Sequence, residues 1–220
     1  DTESGKNVHS LQGHNGRLWR AAWSPVNSIV ATAGEDGQCL LWNASTGNLI
    51  RSLKHAEPQW WVQWSSDGKS IASASRITIS VWDTESGNLK RSFKTLSAPL
   101  PTPGWSSSAD APFSFMKDSD QLTVLGKDNG FDMFNVSTGQ IVPLGNVFAD
   151  GGAGTRATAT WSPDFKTLAS ATGYREVELF QPGSKDGKSI RFFVQPYWLN
   201  DSRRVLGGDN SAGLVTAFDI

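Results

Sequence analysis

The fold is decided by Leu18-Trp19-Arg20-Ala21-Ala22-Trp23-Ser24-Pro25, read together with Leu40-Leu41-Trp42-Asn43. Each stretch is an alternating run that ends in an aromatic followed by polar turn residues, and 19 residues separate Trp23 from Trp42. The pairing returns as Trp64 with Trp82, Phe115 with Phe134, Trp161 with Phe180, and Trp198 with Phe218, at offsets of 18, 19, 19 and 20 residues. Successive units begin 41, 51, 46 and 37 residues apart, a length that suits a four-stranded sheet with variable loops. Internal periodicity of this length marks a repeat architecture.

Within a unit the period-2 pattern predicts strands. In the first, these are Leu18 to Trp23, Ile29 to Ala33, Cys39 to Trp42 and, after the turn Ala44-Ser45-Thr46-Gly47, Leu49 to Leu53. The turn recurs as Thr84-Glu85-Ser86-Gly87 and Val136-Ser137-Thr138-Gly139, with Ser/Thr for local side-chain bonds and Gly for positive φ. Thr2-Glu3-Ser4-Gly5 is the same turn, which makes Val8 to Leu11 an orphan fourth strand, whereas Ala217-Phe218-Asp219-Ile220 closes a third strand. The expectation is an all-β propeller of five four-stranded antiparallel blades, a single domain 1–220, with Val8 to Leu11 completing the last blade and removing two sheet edges. The repeats run over residues 12–53, 54–93, 94–144, 145–192, and 193–220 with 1–11.

Composition agrees. Among 220 residues, 22 glycines and ten tryptophans describe short strands joined by many turns. Twenty basic against 21 acidic residues gives no footprint for nucleic acid, and no basic cluster or long apolar run points to a membrane. Cys39 stands alone, and with three histidines it cannot build the usual four-ligand zinc site.

Gly13-His14, Trp23-Ser24-Pro25, Ala31-Thr32-Ala33-Gly34-Glu35-Asp36-Gly37 and Leu41-Trp42-Asn43 resemble one complete WD40 repeat. Leu53-Lys54-His55, Trp64-Ser65-Ser66-Asp67-Gly68 and Val81-Trp82-Asp83 resemble a second. The resemblance covers the chain, strongly in repeats one, two and four, and with degeneration in three and five. It implies a buried hydrogen-bonded tetrad, here His14, Thr32, Asp36 and Trp42. Repeat two lacks the Asp, repeat three keeps Asp128 but has Phe134, and repeats four and five lack the His. An incomplete network gains little, so blade stability is expected to be uneven. Relatives in this family usually close with seven blades, so five repeats form either a small ring or part of a longer array.

Other motifs reduce to turns. Gly183-Ser184-Lys185-Asp186-Gly187-Lys188-Ser189 is one residue short of a phosphate-binding loop and precedes a strand, not a helix. Asn43-Ala44-Ser45, Asn135-Val136-Ser137 and Asn200-Asp201-Ser202 match the glycan acceptor pattern, but two of them occupy the post-aromatic turn. Asp118, Asp120 and Asp128 lack the Glu and Gly of a calcium loop.

Trp23, Trp42, Trp64, Trp82, Trp161 and Trp198 fall on repeat-core positions; Trp19, Trp60, Trp61 and Trp105 do not. Trp19 and Trp60 each precede a core tryptophan by four residues. The resemblance places that position at the rim of a central channel, on the face carrying the long insertions 95–114 and 145–160. Arg17 and Pro58 lie two residues earlier, Glu35 precedes the tetrad aspartate, and Lys127 is its counterpart in repeat three. Arg17, Trp19, Glu35, Pro58, Trp60 and Lys127 are therefore the expected partner-binding set, with packing between blades as the competing role for the two tryptophans.

The expected function is that of a scaffold binding a protein or peptide, with no enzymatic activity, cofactor, metal, nucleic acid or membrane. A sensory or architectural segment of a larger regulator is the alternative. A propeller enzyme would need acids, bases or a metal at rim positions that read Trp19, Trp60, Ala111, Ala157 and Val194. A cytoplasmic location is expected, with a monomer if the ring closes and a homo-oligomer otherwise.

Overall fold

The computed structural model describes residues 3, 5–94, 113–116, 120–125, 131–145, 158–162, 166–171, 176–181, 188–191, 197–199, 203–209 and 214–219. The chain divides into two compact units, Asp1–Lys94 and Thr95–Ile220.

The first unit holds two antiparallel meanders. One consists of β1 (Leu18–Trp23), β2 (Ile29–Gly34), β3 (Gln38–Asn43) and β4 (Leu49–Lys54); the other of β5 (Trp61–Trp64), β6 (Ser70–Ala74), β7 (Thr78–Asp83) and β8 (Leu89–Lys94). The four strands predicted in repeat one are thus present within a residue of their expected ends. Nearly every residue of β2 and β6 is buried, and both strands are rich in Ala, Ser and Thr. Small side chains on a central strand let neighbouring sheets approach closely. Ala31, Ala33, Cys39, Leu41 and Leu53 of the first sheet pack with Val62, Trp64 and Ile71 of the second, and Trp64 Nε1 donates to Ala22 O at 3.1 Å. Burial pushes the Cys39 thiol up to about 12, which leaves it an inert core residue.

In the second unit, β9 (Phe113–Phe115), β10 (Gln121–Leu125), β11 (Phe131–Asn135) and β12 (Ile141–Gly145) form one meander. A second is built from β13 (Thr158–Trp161), β14 (Leu168–Ala171), β15 (Glu176–Phe180) and β16 (Lys188–Arg191). Among the described residues a further sheet has three strands, β17 (Tyr197–Trp198), β18 (Arg204–Asp209) and β19 (Leu214–Asp219). Lys188 and Ser189, the end of the phosphate-loop lookalike, begin a strand, as a turn reading requires.

The closing turns behave as read. Gly47, Gly87 and Gly139 all have φ of 75°, a conformation that favours glycine. Asn43 Oδ1 accepts the N–H groups of Ser45 and Thr46, and Asn135 Oδ1 accepts that of Thr138. Turn formation accounts for these two asparagines.

Val8 to Leu11 shows no strand pairing, and Val8 and Leu11 are exposed. One core expectation fails. Trp23, expected in the core, is 68% exposed, whereas its counterpart Trp64 is 7% exposed. The reason is positional. A tryptophan at the end of a first strand is covered by the sheet before it, as Trp64 is by β1 and β2, and no sheet of the first unit precedes β1.

The tetrad of repeat one is complete. Trp42 Nε1 donates to Thr32 Oγ1 at 2.8 Å, Thr32 Oγ1 lies 2.7 Å from His14 Nε2, and His14 Nδ1 lies 3.0 Å from Asp36 Oδ1. Thr32 Oγ1 is 3.4 Å from its other acceptor, Leu40 O, so the shorter contact directs the hydroxyl proton to His14. The imidazole then donates from Nδ1 to Asp36, and every donation in the chain runs one way. Burial opposes the Asp36 charge, but the Asn15 and Gln38 N–H groups and His14 outweigh it and hold the carboxyl below its usual range. Gly34 is obligatory beside this network, because a Cβ there would stand 2.5 Å from His14 Nδ1.

Repeat two retains three members. Trp82 Nε1 donates to Ser73 Oγ at 3.2 Å, Ser73 Oγ lies 2.9 Å from His55 Nε2, and the His55 ring meets Trp82 edge-on at 4.8 Å. With no aspartate to stabilise its cation, burial pushes His55 down to about 4.

His14→Ala leaves Asp36 and Thr32 short of a partner and should cost about 1–3 kcal/mol, more than His55→Ala, in urea denaturation. Between pH 6.5 and 4 the unfolded chain protonates His55 and the folded chain does not. Stability should therefore fall by up to roughly 3 kcal/mol as pH drops through that window, then level off in this contribution. His55→Gln should flatten that segment of the profile; an unchanged slope would refute the buried neutral histidine.

Candidate functional rim of the first unit

Trp19 sits where β1 departs from regular pairing. Leu18 pairs with Gly34 and Arg20 with Ala33, so Trp19 is the extra residue of a bulge. Bulges re-aim a side chain, and here the indole is directed toward the neighbouring sheet. Trp60 holds the equivalent place just before β5, with its N–H donating to Ala74 O at 2.8 Å. The two rings meet with centroids 5.9 Å apart and planes tilted by 32°. Both are half-buried, neither lost in the core nor fully in water.

Cations flank them. The Arg17 guanidinium lies over the Trp19 ring at 5.1 Å and that of Arg76 over the Trp60 ring at 6.0 Å. Arg76 was not foreseen. It occupies, in the shorter loop of repeat two, the place that Glu35 holds in repeat one, and an alignment of the two loops would have found it. Glu35 is exposed, and its backbone N–H donates to Arg17 O at 2.8 Å, so the tetrad loop is fixed to the chain two residues before the bulge. Pro58 is exposed beside Trp60, and the Gln59 N–H donates to Gly34 O at 2.9 Å, tying the second sheet's approach to the first sheet's loop. Five of the six expected residues are thus on one edge of the first unit. Lys127, Ala111, Ala157, Val194, Trp105 and most of the insertions 95–114 and 145–160 lie outside the described residues.

Trp61 differs from its neighbour. Although it is off the repeat-core positions, it is 2% exposed, with the Arg20 guanidinium over its ring at 4.5 Å. Alternation sends Trp60 and Trp61 to opposite sides. Trp19 Nε1 is buried without a hydrogen-bond partner, a cost that asks for an explanation at a site of this kind. Lys90, on the outer strand β8, is held in place: its Nζ lies 3.3 Å from Asp83 Oδ2 and donates to Ser70 Oγ at 2.8 Å. Among the described residues no group of His, Cys, Asp and Glu is arranged to hold a metal, and no helix is long and apolar enough to cross a membrane.

Stacked meanders bound by His–Ser/Thr–Trp networks define a β-propeller repeat. The family described as "WD domain, G-beta repeat" matches residues 5–43 and 47–83. The chain is similar to "Probable cytosolic iron-sulfur protein assembly protein Ciao1" of Culex quinquefasciatus, with 37% identity over 38% of this chain and 26% of the relative. It is similar to "Small ribosomal subunit protein RACK1" of Glycine max, with 31% identity over 39% and 26%. With "Eukaryotic translation initiation factor 3 subunit I" of Candida albicans the identity is 25% over 64% and 42%. The matched portion thus spans less than half the length of each of these relatives. In fold the chain resembles the β-propeller domain of Cps50 (Swd1) from Myceliophteria thermophila, at 13% identity and a TM-score of 0.72, over 94% of this chain and 66% of that one. Residues 5–43 and 47–83 thus carry the WD40 repeat, and the fold of the chain is similar to that of a β-propeller.

Adjacent tryptophans with opposite burial give a direct check. Trp61→Ala should destabilise the first unit by about 3–5 kcal/mol in chemical denaturation. Trp60→Ala and Trp19→Ala should each cost less and keep the transition cooperative. Equal losses at positions 60 and 61 would return Trp60 to the core.

Proposed function

We propose that the protein binds a protein or peptide partner through the rim made by Arg17, Trp19, Glu35, Pro58 and Trp60, with Arg76 added to the set. Lys127 belongs to the proposal by its repeat position. The observation that carries it is the pair of half-buried tryptophans from neighbouring sheets, in contact with each other and flanked by arginines. Tryptophan and arginine at a partly desolvated position are the residue types that dominate binding energy. The relatives' names, an assembly protein and subunits of larger particles, support a scaffold acting in an assembly, and no catalytic step is part of this reading. A cytoplasmic site of action is proposed with it; one relative's name includes "cytosolic".

The test is affinity capture from lysate with wild type, Trp19→Ala/Trp60→Ala and Lys69→Ala, the last an exposed position in the turn between β5 and β6. The double variant should retain about a tenth or less of the partner, and Lys69→Ala should retain all of it. Undiminished capture by a folded double variant contradicts the proposal.

The propeller reading also proposes that the five repeats form one domain, a monomer in which Val8 to Leu11 serves as the fourth strand of the fifth sheet. Repeat phase supports this. Gly5 to Leu11 matches Gly47 to Leu53, and His9 Nε2 reaches Ser45 O at 3.0 Å much as Arg51 reaches the Glu85 and Ser86 carbonyls. Deleting residues 1–11 should then lower the melting temperature by several degrees and promote association. A truncated chain with unchanged melting and a monomeric mass sinks this part.

A further inference from the structure

We infer that Asn15 is a modification site: in the folded chain its carboxamide converts without an enzyme to isoaspartate and aspartate, through a cyclic imide with the Gly16 nitrogen, and the isoaspartyl product loosens the repeat-one tetrad. This does not depend on the partner reading above.

Both reacting groups are accessible. Asn15 and Gly16 are exposed, and among the described residues no hydrogen bond engages the Asn15 carboxamide or the Gly16 N–H. A glycine at the following position leaves its nitrogen unshielded by any side chain. The backbone keeps glycine there, because Gly16 has a φ of 153°, which other residues rarely adopt. The other described asparagines are protected. Asn43 and Asn135 hold turn N–H groups through Oδ1, and Asn7 Nδ2 donates to Ser10 Oγ at 3.3 Å. Asn7 and Asn135 precede valines, and Asn48 and Asn88 precede leucines, whose side chains crowd the attacking nitrogen.

The chemistry needs only water. The Gly16 nitrogen forms a bond to Asn15 Cγ, the Cγ–Nδ2 bond breaks, and the Gly16 proton leaves with the amide as ammonia. One water then opens the imide. Cleavage of the original Asn15 C–N bond gives isoaspartate, and cleavage at Cγ gives aspartate. Isoaspartate carries the main chain through Cβ and Cγ, which lengthens it by one carbon, about 1.5 Å. That atom enters where the loop has no slack. The Asn15 N–H donates to Asp36 Oδ2 at 2.8 Å, and Arg17 O accepts the Glu35 N–H at 2.8 Å. Both bonds go to the loop between β2 and β3, and they bracket the lengthened stretch, so one of them must give. Burial opposes the Asp36 charge, and of the groups that offset it the Asn15 N–H contributes most. Either product also places a new carboxylate beside Asp36. His14 therefore loses the fixed partner through which it engages Thr32 and Trp42.

The experiment incubates the whole folded chain, carrying isotopically labelled tryptophan, in mildly alkaline buffer. Tryptic cleavage after Lys6 and Arg17 leaves Asn7 and Asn15 in one peptide, so each is the other's control. Tandem mass spectrometry should place a gain of about 1 Da at Asn15, at least tenfold faster than at Asn7. Labelling with an isoaspartate-specific methyltransferase should mark the same peptide. The modified fraction carries an added negative charge and separates by anion exchange. In it, Trp42 Nε1–H exchange, followed by NMR, should be about 3- to 10-fold faster than in fresh protein. Asn15→Gln, whose extra methylene disfavours the five-membered ring, should keep the fresh rate through the same incubation. An Asn15 carboxamide that survives as long as that of Asn7, or that is lost only when the chain is unfolded in urea, overturns the modification site. Isoaspartate at position 15 with Trp42 exchange unaltered overturns its effect on the tetrad.

Discussion

The hydroxyl of Thr32 is the point on which the first unit depends. It receives the indole N–H of Trp42 from β3 and lies within 2.7 Å of His14, which in turn engages Asp36 at the end of the β2–β3 loop. One β2 side chain thus ties the neighbouring strand, the incoming chain and the loop at Gly34 to Gly37. Without it, a buried indole donor and a buried imidazole would each lose a partner, at a cost of about 1–3 kcal/mol apiece. The consequences reach the rim. Glu35 stands between Gly34 and Asp36 in the loop so held, and its N–H fixes the carbonyl of Arg17, two residues before the Trp19 bulge.

The second repeat runs on the same framework with fewer parts. Ser73 replaces Thr32, the network ends at His55, and the loop is shorter. What is lost in polar connection is offset by packing: Trp64, Ile71 and Val62 face the first sheet in one apolar cluster, and Trp61 is buried under the Arg20 guanidinium. The shorter loop also places Arg76 where repeat one has Glu35. The two repeats therefore present paired tryptophans with differently charged neighbours, and the rim is asymmetric because the loops differ while the strands do not.

Much of this was legible in the residues. Strand order, closing turns and the tetrad follow from alternation, turn chemistry and the 19-residue offset, each a local or periodic signal. Trp19 and Trp60 could be placed together because equivalent positions of stacked repeats are neighbours. The misreadings have a common cause: they concern what covers a residue, not what the residue does within its own repeat. Trp23 has the signature of a core position, yet its burial depends on a sheet before β1. Trp61 lies off the repeat signature, yet alternation turns it inward while the half-buried Trp60 beside it stays at the rim. The missing Asp of repeat two already leaves His55 without a carboxylate partner, but the depth of burial that lowers its pKa comes from packing and is not written in the residues around it.

The Thr32 hydroxyl positions the rim. Thr32→Val keeps the shape of the side chain and removes only the hydroxyl, and indole N–H exchange and chemical shift can be followed in the same labelled sample. In this variant Trp42 Nε1–H exchange should accelerate by at least about tenfold, and the Trp19 and Trp60 indole signals should move although neither residue touches Thr32. Trp19 and Trp60 signals identical to wild type, with Trp42 exchange unchanged, would contradict it.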